Sequence, residues 1–210
     1  MGLYGGTFDP VHFGHLKTAD EVQQALDLGE VRMVLSANPP HKQQLLLSAK
    51  DRFNLLSLAV KKFPALQADD CEIKRSGPSY MIDTLRYYRQ REPDKPLLLI
   101  LGMEAFNGLM SWYQWGEIIR LAHIVVTDRA GFGNELAEGM QKYVSPFLTT
   151  DKSELKRLTH GKIYQLPVTQ IDISATQVRQ RIKSKQTVKE MLPTECWDSI
   201  FKHGFYTQGA

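Results

Sequence analysis

Short runs of consecutive apolar residues alternate along this chain with stretches in which apolar residues recur every three or four positions. The first pattern predicts strands and the second helices. Leu97–Leu101 (LLLIL) is the clearest run, and its unbroken bulk fits a strand covered on both faces. Leu3–Gly5, Val31–Ser36, Ala65–Lys74, His123–Thr127 and Ile163–Val168 read as further strands. A helix is predicted from Phe13 to about Leu28, with Leu16, Ala19, Val22, Ala25 and Leu26 inward and Gly29 as its stop. Ser48-Ala49-Lys50-Asp51 has capping-box spacing and opens a second helix presenting Phe53, Leu56, Ala59, Val60 and Phe63. A third starts near Tyr80, turns Ile82, Leu85 and Tyr88 inward and ends before Pro93, and a fourth is expected over Trp112–Leu121.

Strands separated by helices up to about residue 128 predict an α/β fold with a doubly wound parallel sheet. Such sheets bind ligands beyond the carboxyl ends of their strands, where strand order reverses. The chain's punctuation falls at those ends: Gly5-Gly6, Asn38-Pro39-Pro40, Gly102 and Asp128-Arg129. From residue 130 to 161 the pattern weakens into what reads as a solvated, partly helical insertion. The helix entered through Ile173-Ser174-Ala175-Thr176 turns Val178 and Ile182 inward, and a last one over Thr194–His203 packs back through Trp197 and Ile200 or Phe201. The expected organisation is one domain over residues 1–210: a core (1–129), a variable insertion (130–161), and a last strand with a small C-terminal helical subregion (162–210).

Composition narrows the function classes. A net charge of +3 suits anionic small molecules and falls short of the basic stripe of a nucleic-acid binder. Lys152, Lys156, Arg157 and Lys162 cluster, but Asp151 and Glu154 dilute them into a solvated face. Cys71 and Cys196 lie far apart, outside any zinc-site or disulfide spacing, which leads us to expect a reducing, cytoplasmic location. No apolar run approaches the length needed to span a bilayer, so no membrane partner is expected.

The stretch Gly5–His15, GGTFDPVHFGH, concentrates the candidate chemistry. Gly5 and Gly6 let the backbone approach a ligand, and Thr7 offers a hydroxyl. His12 and His15, three apart at a helix entrance, share one face, and Gly14 keeps that face open. The helix start adds unpaired amides and the positive end of its dipole, so the combination points to phosphate. The pair lacks the i, i+4 spacing with an intervening Glu that a zinc-protease helix needs, and no protein-held metal is expected.

These residues resemble the signature of the HxGH nucleotidyltransferase superfamily. Asn38-Pro39-Pro40-His41-Lys42, Ser79–Leu85, Gly102-Met103-Glu104, Trp112–Trp115 and Ile173–Arg179 resemble one branch of it, the bacterial nicotinate mononucleotide adenylyltransferases. The resemblance implies a Rossmann-like fold and adenylyl transfer from ATP to nicotinate mononucleotide, with Mg²⁺ held mainly by substrate phosphates. His12, His15 and Arg179 are implied as catalytic. Gly5, Gly6, Thr7, Phe8, Gly102, Glu104, Arg129, Ser174 and Thr176 are implied to meet ATP, and Lys42, Thr84, Trp112 and Tyr113 the mononucleotide. Within that pocket the implied roles are an indole stacking on the pyridine, and Thr84 with amides near Tyr113 receiving its carboxylate. Glu104 stands where the family usually has Asp, and Ala175 where many relatives have a second Ser. Another transferase of the superfamily, such as one acting on phosphopantetheine, or a nucleotide-binding sensor without turnover, is the competing expectation.

Overall fold

The computed structural model describes residues 1–40, 45–128, 136, 138–169 and 171–207. Strand β1 (Gly2–Gly6) leads to helix α1 (Phe13–Leu26), β2 (Val31–Leu35), α2 (Ala49–Ala59), β3 (Leu66–Asp69), α3 (Met81–Arg91) and β4 (Leu98–Gly102). Two short helices, α4 (Met103–Asn107) and α5 (Trp115–Ile118), precede β5 (His123–Asp128). Then follow α6 (Glu138–Val144), β6 (Leu148–Thr149), α7 (Glu154–Arg157), β7 (Ile163–Pro167), α8 (Ala175–Lys183) and α9 (Thr194–His203).

The described strands form one sheet in the order β3-β2-β1-β4-β5-β7-β6, and every pair is parallel. The doubly wound expectation is met. Strand periodicity explains why both faces are covered. In β2, Val31, Met33 and Leu35 join one core cluster while Val34 joins the other; in β4, Leu98 and Ile100 oppose Leu99 and Leu101. One face is filled from α1, α2, α8 and α9 (Leu16, Leu55, Val178, Ile200), the other from α3, α4, α5 and α6 (Ile82, Phe106, Ile118, Met140). The chain winds outward from β1 to β3, then returns to lay β4 on the other side of β1. The switch point therefore lies between the carboxyl ends of β1 and β4.

Several local expectations change. Helix α1 stops at Asp27, in the left-handed region at φ 51°, two residues before Gly29, and Ala25 is exposed. Strand β3 ends at Asp69, and the residues expected to extend it turn instead. In α2 the inward face is Arg52, Leu55, Leu56 and Ala59, with Phe53 half-buried at its flank. The expected Trp112–Leu121 helix is only the four residues of α5. Gln114 at φ 52° breaks the path into it, and α4 was missed in the preceding segment. The described part of 138–161 is helical in two places, but it also supplies the edge strand β6, paired with β7, and buries Met140, Val144 and Leu155. Of the last helix's expected contacts, Ile200 is buried, Trp197 is partly buried and Phe201 stays exposed.

The C-terminal helices are tied to the first loop. Phe13 N–H donates to the Met191 carbonyl at 2.9 Å, and the Cys196 thiol donates to the Leu55 carbonyl at 3.2 Å. No helix among the described residues is long and apolar enough to cross a membrane.

Candidate active site

Gly5 and Gly6 end β1, and the loop from Thr7 to Val11 carries the chain into α1. A Cβ on Gly6 would come within 2.6 Å of the Phe8 ring, so the bare backbone is required for the turn. Phe8 is itself left-handed (φ 48°) and buried, and its ring stands edge-on to that of His15 at 5.1 Å. The ring thus helps hold His15 in place. The Asp9–Pro10 peptide is cis.

His12 is the N-cap of α1 in extended conformation, and His15 sits three residues on, with ring centroids 3.7 Å apart. The His12 N–H donates to His15 Nδ1 at 3.3 Å, which leaves the His15 proton on Nε2. His12 is 5% exposed and its Nδ1 has no hydrogen-bond partner, an orphaned polar atom at a helix start. Burial pushes its imidazole down to about 4, so the ring is neutral at pH 7 until an anion arrives to favour the charged form. Gly14 is dictated by the same ring. A Cβ there would lie 2.9 Å from His12 Nδ1 and 3.4 Å from the Ile173 carbonyl.

That last contact joins the two halves of the site. Ser174 caps α8: its hydroxyl accepts from Gln177 N–H at 3.2 Å while the Gln177 side chain accepts from Ser174 N–H at 2.7 Å. The capping box aims the helix start, with Thr176 exposed, toward the loop before α1. Arg179 completes the link, donating to the Asp9 carbonyl at 2.7 Å and to the Thr176 hydroxyl at 3.2 Å. Imidazoles, hydroxyls, two helix N-termini and a guanidinium thus converge from residues some 160 positions apart, a donor set suited to phosphate oxygens.

Beside this cradle lies a cavity of about 190 Å³ lined by Gly5, Gly6, Thr7, Glu72, Tyr80, Met81, Trp112 and Tyr113, among others. Tyr113 is half-exposed, and its ring packs against Tyr80 at 4.6 Å with the planes tilted by 31°. Trp112 lines the cavity as expected, whereas Trp115 packs edge-on against Tyr143. Two features of the expected pocket differ. Trp112 and Tyr113 follow a single 3₁₀ turn (Leu109–Ser111) and lie just before the start of α5, whose N-cap is Gln114. Thr84 is fully buried, off the cavity wall, and donates its hydroxyl to Glu72 at 2.5 Å. Gly102 caps α4 in open space, with Glu104 exposed in its first turn. Lys42 and Arg129 lie outside the described residues.

Three residues at the site escaped the sequence reading. Glu72 was absorbed into an over-long strand. Its position just past the carboxyl end of β3, the edge at which such sheets bind ligands, was the available signal. Arg52 was passed over although it lies three and four residues before Leu55 and Leu56 on the inward face of α2. It is fully buried and donates to the carbonyls of Thr7 (2.7 Å), Ser36 (2.8 Å), Ala37 (2.8 Å) and Leu47 (3.3 Å). Tyr206 donates to Asp9 Oδ1 at 2.7 Å, and nothing in the sequence near it signals that contact.

His123, buried in β5, is also held below the ordinary histidine range, chiefly by burial. Both histidines bind fewer protons folded than unfolded in the window from the unperturbed 6.5 down toward their folded values, about 4 for His12. Stability is therefore greatest above that window and falls as pH drops through it. His12 alone accounts for roughly 2 kcal/mol between pH 7 and pH 5. Urea unfolding at both pH values should show this loss, and His12→Asn should show a smaller one; equal losses in the two proteins would remove His12 as the cause.

The family model described as cytidylyltransferase-like matches residues 3–181, which include both helix starts of the site. A protein of Methylococcus capsulatus named "probable nicotinate-nucleotide adenylyltransferase" is 37% identical, covering 99% of this chain and all (100%) of its own. One of the same name from Pseudomonas syringae pv. tomato is 39% identical, covering 98% of this chain and 93% of its own. The chain belongs to the nicotinate-nucleotide adenylyltransferase family. Its fold is also that of the Plasmodium falciparum nicotinic acid mononucleotide adenylyltransferase solved in complex with NaAD. The two chains share 17% identity at a TM-score of 0.74, with coverage of 98% and 96%.

Proposed function

We propose that this chain transfers the adenylyl group of ATP to nicotinate mononucleotide, giving nicotinate adenine dinucleotide and pyrophosphate, a step of NAD biosynthesis. The observation that carries the reading is the shared wall. Gly5, Gly6 and Thr7 border both the phosphate cradle and the aromatic cavity, so a phosphate and a flat ring can be held side by side at one sheet edge. The family relatives' names supply the same pairing of substrates.

The mononucleotide phosphate oxygen attacks the α-phosphorus of ATP in line; the new P–O bond forms as the bond to the β-phosphate breaks and pyrophosphate leaves. The nucleophile is already an anion, so no strong base is needed, and catalysis is positioning and charge stabilisation. Thr7, Ser174 and Thr176 orient phosphate oxygens. His12 and Arg179 neutralise them, and His15 Nε2 donates to the oxygens of the pentacoordinate phosphorus. Glu104, in the first turn of α4, meets the adenosine ribose beside Gly102. Trp112 stacks on the pyridine ring, and Thr84 acts indirectly, through Glu72.

The cradle's imidazoles and guanidinium are nitrogen groups that match phosphate oxygens, whereas Mg²⁺ takes oxygen ligands, chiefly carboxylates, water and the phosphates themselves. Among the described residues no group of three or more His, Cys, Asp or Glu could hold a metal. In this reading Mg²⁺ would arrive on the ATP phosphates as part of the substrate.

Pyrophosphate release with ATP and Mg²⁺ tests the reading when nicotinate mononucleotide, nicotinamide mononucleotide and phosphopantetheine are compared. Release is expected to be fastest with nicotinate mononucleotide. Fastest release with phosphopantetheine, or nucleotide binding without release, would replace the reading with one of its competitors.

A further inference from the structure

Among the described residues, one carboxylate lines the aromatic cavity. Glu72 lies in the turn after β3, lines the cavity and is 5% exposed. Its Oε1 accepts the Thr84 hydroxyl, and Oε2 has no hydrogen-bond partner. Among the described lining residues it is the sole carboxylate, and neither Lys nor Arg lines the cavity with it. Of the two cations nearest in the chain, Lys74 pairs with Asp70 at 2.7 Å and Arg75 donates to the Tyr80 carbonyl at 3.4 Å. A buried acid with half of its acceptor capacity unmet is costly unless the occupant of the cavity supplies positive charge.

The aromatic walls admit a flat ring, and an N-ribosylated pyridine is a flat ring with a delocalised positive charge. Resting on the proposed function, we infer that Glu72 determines specificity by recognising the pyridinium charge of the mononucleotide, favouring it over an uncharged ring of the same shape. Thr84 then serves as the residue that holds the carboxylate toward the cavity. A charge pair a few ångströms apart in a partly screened site shifts affinity by roughly 10- to 100-fold.

The experiment varies both charges. Nicotinate mononucleotide and its ring-reduced dihydro form, which has the same carboxylate, ribose and phosphate but a neutral ring, are titrated against the wild-type protein and Glu72→Gln. Gln keeps an oxygen to accept from Thr84. The wild type should bind the cationic ring about 10- to 100-fold more tightly than the neutral one. Glu72→Gln should lose that preference, weakening the cationic ligand while leaving the dihydro form within about threefold. Equal weakening of both ligands would show a merely structural role and overturn the inference. The wild-type comparison stands alone if the variant does not fold, because equal affinity for the two rings also overturns it. Absence of adenylyl transfer to nicotinate mononucleotide by the wild type would sink the proposed function, whereas transfer with Glu72-independent ring selectivity sinks only this inference.

Discussion

His15→Ala should lower turnover by about 100- to 1,000-fold while changing the KM for nicotinate mononucleotide only severalfold. The reason lies in which nitrogen is committed. His15 Nδ1 accepts the His12 N–H at 3.3 Å, and the ring is braced by Phe8 at 5.1 Å and Tyr4 at 6.4 Å, so Nε2 carries the proton in a fixed direction. A donor fixed before the reaction begins acts where charge develops, on the oxygens of the pentacoordinate phosphorus, and contributes little to ground-state binding. Two further variants separate this role from helix capping. Asn places its amide near the position of Nδ1 and should restore the cap but not the rate. Gln reaches the position of Nε2 and should recover part of the rate. Steady-state kinetics on the three variants decide the matter: if Asn recovers as much turnover as Gln, or if Ala retains full turnover, His15 is a capping residue.

How much of this was legible beforehand depended on whether the signal was local. Strands β4 and β5 are covered on both faces and read directly as apolar runs. The His12-Gly14-His15 grouping is compressed into four residues, and its glycine is required by contacts the spacing already suggested. The cap at Ser48 was likewise visible, because Ser48 and Asp51 lie within one turn. What failed was longer in range. The segment between β4 and β5 folds as two short helices around a left-handed Gln114, a position with no glycine to mark it. Thr84 carries the motif of a ligand-binding residue, but its bond to Glu72 depends on where β3 ends, which the local pattern did not give. Tyr206 meets Asp9 across 197 positions, and only the packing of the C-terminal helices against α1 and α2 brings them together.

Arg52 is the feature for which sequence pattern and structure diverge most, and removing it should have the largest effect on stability. An arginine at an inward helix position reads as an error in the hydrophobic stripe. Here its guanidinium replaces a missing ladder: β1 and β2 end at Gly6 and Leu35, and the carbonyls of Thr7, Ser36 and Ala37 just beyond point inward, where Arg52 satisfies them. Burial holds its pKa below the usual arginine value, and nearby Asp9 and Tyr206 oppose that shift. Two effects compete in Arg52→Met. The apolar side chain relieves the desolvation of a buried cation, which on its own is neutral or favourable. Against that, four carbonyls lose their donor at once, each at about 1–3 kcal/mol if it stays dry. The second effect wins, and a net loss of about 3–5 kcal/mol is expected, read as a lower urea midpoint at unchanged m-value. Arg52→Lys should fall between, since one ammonium cannot span acceptors on two loops and a helix start. Because Thr7 and the Ser36–Pro40 turn border the phosphate cradle and the cavity respectively, Arg52→Lys should also raise the KM values for both ATP and the mononucleotide. A loss below about 1 kcal/mol in Arg52→Met would mean that the carbonyls find water, and that the loops beyond β1 and β2 are held by other contacts.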